Sequence, residues 1–134
     1  MSVEGYIPDP SVGYEATTAI DANRIVNWDT TASAYPGRMQ VKEAGAGEVC
    51  FGVSGEAAAA GENCRVIGAG AIGKLVLTDA SAILFDSPVE SGAAGVAVLA
   101  TGAGEHQIIG YAMKANGSAA VEIPIRIAPG KITI

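Results

Sequence analysis

Apolar and polar side chains alternate along several short stretches of this chain. The clearest stretch lies near the C-terminus, where apolar side chains occupy every second position. Its apolar members are Val121, Ile123, Ile125 and Ile127, and the residues between them are Glu122, Pro124 and Arg126. A period of two is typical of a strand with one buried face and excludes an amphipathic helix. We therefore expect the four apolar side chains to line a core, with Glu122 and Arg126 facing solvent or a partner. Because proline cannot donate a ladder hydrogen bond, Pro124 favours an edge strand or a bulge.

Other stretches also favour strands, two of them (38–42 and 74–78) by alternation and the rest by their β-favouring residues. They are 25–28, 38–42, 74–78, 96–99, 107–111 and 131–134. Turn signals rich in Gly, Pro and Asn separate them, among them 35–37, 92–95, 116–118 and 129–130. Short strands with turns about every 8–12 residues are typical of a sandwich or small barrel. The chain is thus predicted to be all-β, a small β-barrel or sandwich of short antiparallel strands, with at most one or two helical turns, at 57–60 or 79–84.

The first 20 residues differ from the rest of the chain. Pro8 and Pro10 fix their own φ angles and favour an extended backbone at the residues before them. No regular hydrophobic periodicity precedes Thr17. We interpret residues 1–20 as an extended N-terminal arm and residues 21–134 as a single β-barrel-like domain. The predicted partner-binding residues of the arm are Tyr6, Ile7, Pro8, Pro10 and Tyr14. The alternative is a loose terminus without a binding role.

Composition and charge narrow the function classes. Of 134 residues, 18 are glycine and only 5% are aromatic, which favours thin strands and tight turns over a deep aromatic pocket. The net charge is −6 and the basic residues are scattered, so no nucleic acid partner is expected. No window approaches the roughly 20 apolar residues of a membrane span, and the N-terminus does not resemble a secretory signal. We expect synthesis in a cytoplasm, where Cys50 and Cys64 stay reduced, with a disulfide between them as the alternative.

One segment matches the dinucleotide-binding pattern G-x-G-x-x-G. It runs from Gly68 to Gly73, and Asp86 and Glu90 lie near the acidic position expected further on. The pattern binds a pyrophosphate only where its glycines open a helix. Here an alternating stretch, 74–78, follows instead. We therefore interpret these glycines as a β-turn or bulge between two strands and expect no nucleotide cofactor.

Other candidate chemistry is sparse. His106 is the only histidine and is interpreted as an exposed turn residue. Cys50 and Cys64 lack the four-ligand spacing of a zinc site, and the acidic residues form neither a calcium loop nor an acid–base pair. The sequence therefore predicts no catalytic, cofactor or metal site, and a protein that is not an enzyme.

Several segments together resemble the capsid cement (decoration) proteins of tailed bacteriophages. They are Gly52–Glu62, with its A-A-A-G-E run after a G-V strand end, then the D-S-P-V corner at Asp86–Val89, and the strands Gly95–Ala100 and Ile109–Ala112. The resemblance covers roughly residues 40 to 128 and leaves out the arm. It implies a compact β-barrel on the outer surface of the head, in a virion assembled in a bacterial cytoplasm. It also implies binding to the major capsid protein and a homo-oligomer, with a trimer favoured and a dimer possible. No catalytic residues carry over.

Two other function classes compete with this interpretation. A carbohydrate-binding or adhesive β-module would need exposed aromatic rings, but Trp28 is the only tryptophan and its alternation with Val26 favours the core. A nucleotide-dependent enzyme would depend on the Gly68–Gly73 pattern alone.

Overall fold

The computed structural model describes residues 11–29, 39–77, 83–115 and 122–134, which form two β-sheets. The strands are β1 (Ser11–Ala16), β2 (Ile25–Trp28), β3 (Gln40–Glu43), β4 (Gly52–Ser54), β5 (Asn63–Ile67), β6 (Ile72–Val76), β7 (Pro88–Ser91), β8 (Ala97–Leu99), β9 (Glu105–Ala112) and β10 (Glu122–Thr133). A single 3-10 turn, Ala93–Gly95, precedes β8. The all-β prediction is confirmed. Of the two segments considered for a helical turn, 57–60 is irregular and most of 79–84 lies outside the described residues. Within the described residues, no helix is long and apolar enough to cross a membrane.

The first five strands close into a barrel in the order β1-β3-β2-β4-β5. β1 completes the ring because it pairs with β5 on one side and with β3 on the other. The β1–β3 pair is parallel, with Glu15 opposite Gln40, whereas β1 and β5 are antiparallel. The prediction of antiparallel strands therefore holds for the named pairs apart from this one.

The second sheet has the order β6-β10-β9-β7-β8, and its named strand pairs are antiparallel. A bridge between Leu77 and Ala97 links the chain after β6 to β8, so this sheet curls toward closure. Its centre is β10, which pairs with β6 through residues 122–126 and with β9 through residues 125–133.

Two clusters of buried side chains form the core. One fills the barrel and comprises Ala16, Ile20, Val26, Val41, Ala58, Cys64 and Val66. The other lies between barrel and sheet and joins barrel residues such as Ile25 and Val53 to Leu75, Ile109, Ile123, Ile125 and Ile127 of the sheet. Because barrel and sheet share this second cluster, they bury apolar surface against each other, which favours their folding together.

The register predicted for β10 is confirmed for the residues that are described. Ile123, Ile125 and Ile127 are buried, whereas Glu122 and Arg126 are exposed; Val121 lies outside the described residues. Pro124 was predicted to mark an edge strand or a bulge, and this is wrong: β10 lies between β6 and β9 in the sheet, and its bulge lies further on, between Ile127 and Gly130. Pro124 is tolerated because it faces the end of β9: its carbonyl accepts from the Met113 amide, just past the last residue of that strand. The N–H that Pro124 lacks would point past the end of β9, so its absence removes little of the β9–β10 hydrogen bonding.

The predicted turn at 129–130 is instead a bulge inside β10. Pairing with β9 shifts register between Ile127 and Gly130 and then continues to Thr133. Long-range pairing with β9 therefore overrides a local Pro-Gly turn signal.

The predicted arm is shorter than residues 1–20. β1 begins at Ser11, Ala16 is fully buried, and Ile20 is bridged to Ala58. This part of the predicted arm belongs to the barrel because its backbone pairs with β3 and β5. The sequence does carry a short period of two here, since Val12, Tyr14 and Ala16 alternate with Ser11, Gly13 and Glu15. Residues 1–10 lie outside the described residues.

Candidate interaction surface

Tyr14 is the one predicted arm residue that the structure describes. Its ring meets Trp28 edge-on at 5.3 Å between centroids and Phe51 at 5.7 Å. Trp28 and Phe51 stack on each other at 3.9 Å with an interplanar angle of 9°. All three rings are half-buried and pack against the barrel core. Tyr14 therefore anchors β1, and a partner-binding role for it stays a prediction. Tyr6, Ile7, Pro8 and Pro10 lie outside the described residues.

The same aromatic cluster bears on the carbohydrate-binding alternative. Sugar recognition by stacking needs an aromatic face that is open to the ligand. The indole of Trp28 is already stacked on Phe51 and packed against the barrel core, as its alternation with Val26 predicted. Nothing in this cluster favours a sugar-binding function.

A continuous strip crosses the outer face of the second sheet. Ile72 on β6 lies opposite Arg126 on β10, Arg126 opposite Tyr111 on β9, and Tyr111 opposite Pro88 on β7. Ile72 is 59% exposed. Arg126 points away from the core because its neighbours on β10, Ile125 and Ile127, point into it. Residues directly opposite one another in a sheet share a face, so the other members of the strip point the same way.

An exposed apolar turn adjoins this strip. Leu84 and Phe85 are each 64% exposed, more than the other large exposed apolar side chains of the described residues. The turn is held closed because the Ser87 amide donates to the Leu84 carbonyl at 3.1 Å and the Leu84 amide donates to the Ser87 hydroxyl at 3.2 Å. Asp86 adopts a φ of 69° and its amide donates to the Ala112 carbonyl, which ties the turn to the end of β9.

Arg126 joins the strip to the turn. Its guanidinium lies 5.0 Å from the centre of the Tyr111 ring, and its Nη2 is 3.6 Å from Asp86 Oδ1. The Arg126 side chain is 49% exposed, so the ion pair itself adds little stability. The guanidinium therefore lies over the Tyr111 ring and beside the Asp86 carboxylate. We call the set Ile72, Leu84, Phe85, Tyr111 and Arg126 the sheet patch.

Sequence patterns do not predict the sheet patch. Leu84 ends the segment 79–84, one of the two places for a helical turn, and Tyr111 lies in a predicted strand. One local signal was present: two large apolar residues stand directly before the turn residues Asp86-Ser87-Pro88. Core side chains rarely enter a turn, so such a pair indicates an exposed apolar site.

The residues considered for chemistry lie apart from the patch. Gly68–Ala71 forms a turn that leads from β5 into the strand β6, as predicted, and Gly70 has a φ of 90°. Cys50 and Cys64 are free and buried in different clusters. Burial raises the pKa of Cys50 to about 12, and burial followed by the charge of Glu56 raises the pKa of Cys64. Both thiols therefore stay protonated at neutral pH, when they are poor nucleophiles.

His106 was predicted to be an exposed turn residue, and this is wrong. It lies within β9, and its side chain is only 13% exposed between β7 and the turn before β9.

The fold and the exposed patch place the chain among small all-β proteins built from a closed barrel and a curled sheet. No protein-family model matches the sequence. No curated protein matches it either. Among solved structures, one similar chain is described as the head fiber gp8.5 N base in bacteriophage phi29, with a TM-score of 0.68 and 15% sequence identity. The match covers 92% of this chain and 98% of that one, so the two share a fold over nearly their whole lengths.

Proposed function

We propose that this protein is a structural component of a tailed-phage head, a decoration protein that binds the major capsid protein on the outer capsid surface. The observation that carries the proposal is the fold shared with the phi29 head-fiber base over almost all of both chains. The resemblance of Gly52–Glu62 and Asp86–Val89 to capsid cement proteins is an independent reason, because it comes from the sequence.

The sheet patch has the chemistry of a protein contact. Interface centres are enriched in aromatic residues and arginine, and they carry most of their binding energy in a few well-positioned side chains. Phe85 projects from a turn that hydrogen bonds hold, and Arg126 is placed between Tyr111 and Asp86. Because hydrogen bonds already order the backbone of this turn, less backbone entropy is lost on binding, which favours affinity from a small area. We infer that this patch contacts the capsid subunit.

A homo-oligomer, with a trimer favoured, is part of the same proposal. Repetition of a modest contact within an oligomer and over a capsid lattice raises overall affinity by avidity, so no deep pocket is needed. Tyr6, Ile7, Pro8 and Pro10 are proposed to bind a sister subunit or the capsid.

The experiment that tests the function is co-sedimentation with heads assembled from the major capsid protein of the same genome. Saturable binding, with a copy number that is a simple fraction of the capsid subunits, is the expected result. Cryo-electron microscopy of the loaded heads would then show density on the outer surface. Absence of binding to both unexpanded and expanded heads would contradict the proposal.

Replacing the apolar turn should separate attachment from folding. We expect Phe85→Ser to weaken head binding about tenfold or more, as loss of a central aromatic anchor does. The free energy of unfolding should change by less than about 0.5 kcal/mol, because Phe85 is exposed. Val49→Ser is the matched control, since Val49 is a similarly exposed apolar residue of the barrel segment at 55%. Equal losses of binding in the two variants would rule out the sheet patch as the contact.

Two N-terminal deletions test the arm. Deleting residues 2–10 should leave the thermal midpoint nearly unchanged but reduce oligomerisation or capsid occupancy by about an order of magnitude through lost avidity. Deleting residues 2–16 should instead unfold the domain, because it removes β1 and opens the barrel. Circular dichroism and mass photometry measure the two effects. Full assembly and occupancy by the 2–10 deletion would show that Tyr6 and Ile7 have no attachment role.

A further inference from the structure

His106 lies where three segments of the second sheet meet. It is on β9 opposite Ile132 of β10, and its side chain reaches Glu90 of β7 and the turn that precedes β9. The side chains of His106 and Glu90 are only 13% and 18% exposed. Since the chain contains one histidine, every imidazole signal of this protein belongs to this site.

Both ring nitrogens of His106 face oxygen atoms that accept hydrogen bonds. Nδ1 is 3.1 Å from Glu90 Oε2, and Nε2 is 2.9 Å from the Gly102 carbonyl oxygen. A carboxylate and a carbonyl cannot donate. A neutral imidazole carries one N–H and can satisfy only one of them, whereas the imidazolium donates to both. The imidazolium is therefore the form of the ring that satisfies both acceptors at once.

The turn that His106 holds is also connected to the end of β10. Gly102 and Gly104 have φ values of 92° and 119°, a region open mainly to glycine. Gly104 and Ile134 exchange a pair of backbone hydrogen bonds, each 2.9 Å long. Beyond Arg126, β10 no longer pairs with β6, and from Gly130 to Thr133 its strand partner is β9.

We propose that His106 is a pH-operated latch, which in its protonated form ties the 102–104 turn and the end of the β9–β10 ribbon to Glu90 on β7. Loss of the ring proton removes the hydrogen bond to one of the two acceptors. The turn and Ile134 then open more often, while the core of the sheet stays folded. The latch is independent of the proposed attachment to capsids.

The direction of the titration follows from the surroundings. The hydrogen bond to Gly102, then that to Glu90 and the charge of Glu90, raise the pKa of His106 above its ordinary 6.5, against an opposing effect of burial. A raised pKa means that the latch contributes stability fully below pH 6.5 and loses it as the pH rises through the pKa of the folded protein. Two charged side chains of β9 and β10, Glu105 and Lys131, also lie near His106 in sequence or register; they pair with each other at 3.6 Å and are 67% and 55% exposed.

The test is an NMR titration of the full chain labelled with ¹⁵N, with amide hydrogen exchange measured across the same pH range. We expect both ring nitrogens to show imidazolium shifts at low pH, with a midpoint above 6.5. Protection factors, which correct for intrinsic exchange rates, should fall for Gly104 and Ile134 through that midpoint while Ile125 stays protected.

Two variants distinguish the latch from a general charge effect. Glu90→Gln should lower the midpoint, because it removes the carboxylate beside Nδ1. Glu105→Gln removes an equal charge one residue from His106 and should lower the midpoint less, because that carboxylate is exposed and paired with Lys131. A wild-type midpoint at or below 6.5, equal shifts in the two variants, or unchanged protection of Gly104 and Ile134 would each overturn the proposal.

Discussion

Gly110→Ala should destabilise the protein by about 3 kcal/mol, at the upper end of the usual cost of overpacking. Gly110 lies in the middle of β9 opposite Ile127 of β10, next to the bulge. A Cβ added there would collide with the carbonyl oxygen of Arg126 and would lie 2.9 Å from its carbonyl carbon and 3.0 Å from the Ala128 nitrogen. All three atoms belong to the backbone and cannot rotate away as a side chain would. The two central strands must therefore separate, and chemical denaturation should report the loss.

Gly130→Ala provides the control in the same strand pair. Gly130 lies beyond the bulge, and a Cβ there would have no atom within 4 Å. We expect its free energy of unfolding to change by less than about 0.5 kcal/mol. If the two variants were equally stable, the close approach of β9 and β10 at Gly110 would be wrong.

Ile125→Ala should cost about 2–5 kcal/mol, the range observed when a buried isoleucine is truncated. Ile125 has no exposed surface and belongs to the cluster shared by barrel and sheet. Its loss leaves a cavity between two sheets, which pairing on both sides of β10 prevents from collapsing. The measurement is equilibrium denaturation in urea, with the slope of the transition checked for a change in unfolding mechanism.

Arg126→Ala tests the register of the same strand. Arg126 is adjacent in sequence but faces outward, and its ion pair with Asp86 is solvent-exposed. A cost of less than about 0.5 kcal/mol is expected, since exposed pairs contribute little. Similar unfolding energies for Ile125→Ala and Arg126→Ala would contradict this orientation of β10.

The sequence predicted correctly those strands and turns that are determined by residues close together in the chain. The alternation of Ile123, Ile125 and Ile127 located the buried face of β10, and the stretch 25–28 coincides with β2. The glycines from Gly68 onward were interpreted correctly because the residues after them alternate. In β6 and in residues 122–127 of β10 one face is buried and the other is exposed, so burial leaves a clear period in the sequence. In β2 both Ile25 and Val26 are buried, and this stretch was predicted from its β-favouring residues instead.

The errors arose where distant segments decide the outcome. Ser11–Ala16 alternates over only six residues and follows two prolines, and it becomes a strand because β3 and β5 offer backbone partners. The Pro129-Gly130 signal became a bulge for the same reason.

The candidate site was harder to predict than the fold. The exposure of Leu84 and Phe85, and the meeting of Ile72, Arg126 and Tyr111, depend on strand order in the second sheet. The alternation of each strand taken alone carries no information about that order. Likewise, the two acceptors of His106 come from β7 and from a turn, which no spacing around His106 indicates.

The position of β1 in the barrel has a consequence for the order in which this protein folds. Ser11 lies opposite Ile67, and Glu15 opposite Asn63, so the first strand pairs with one made much later in synthesis. While the ribosome produces the intervening segment, β2 and β3 can already form local contacts, but β1 has no antiparallel partner. Bringing β1 and β5 together closes a long loop of chain, and this loss of chain entropy comes before the stabilising contacts form, which slows folding. Barrel closure is thus expected to be a late event, and a nascent or destabilised chain would expose the unpaired edges of β3 and β5 until the N-terminal strand docks.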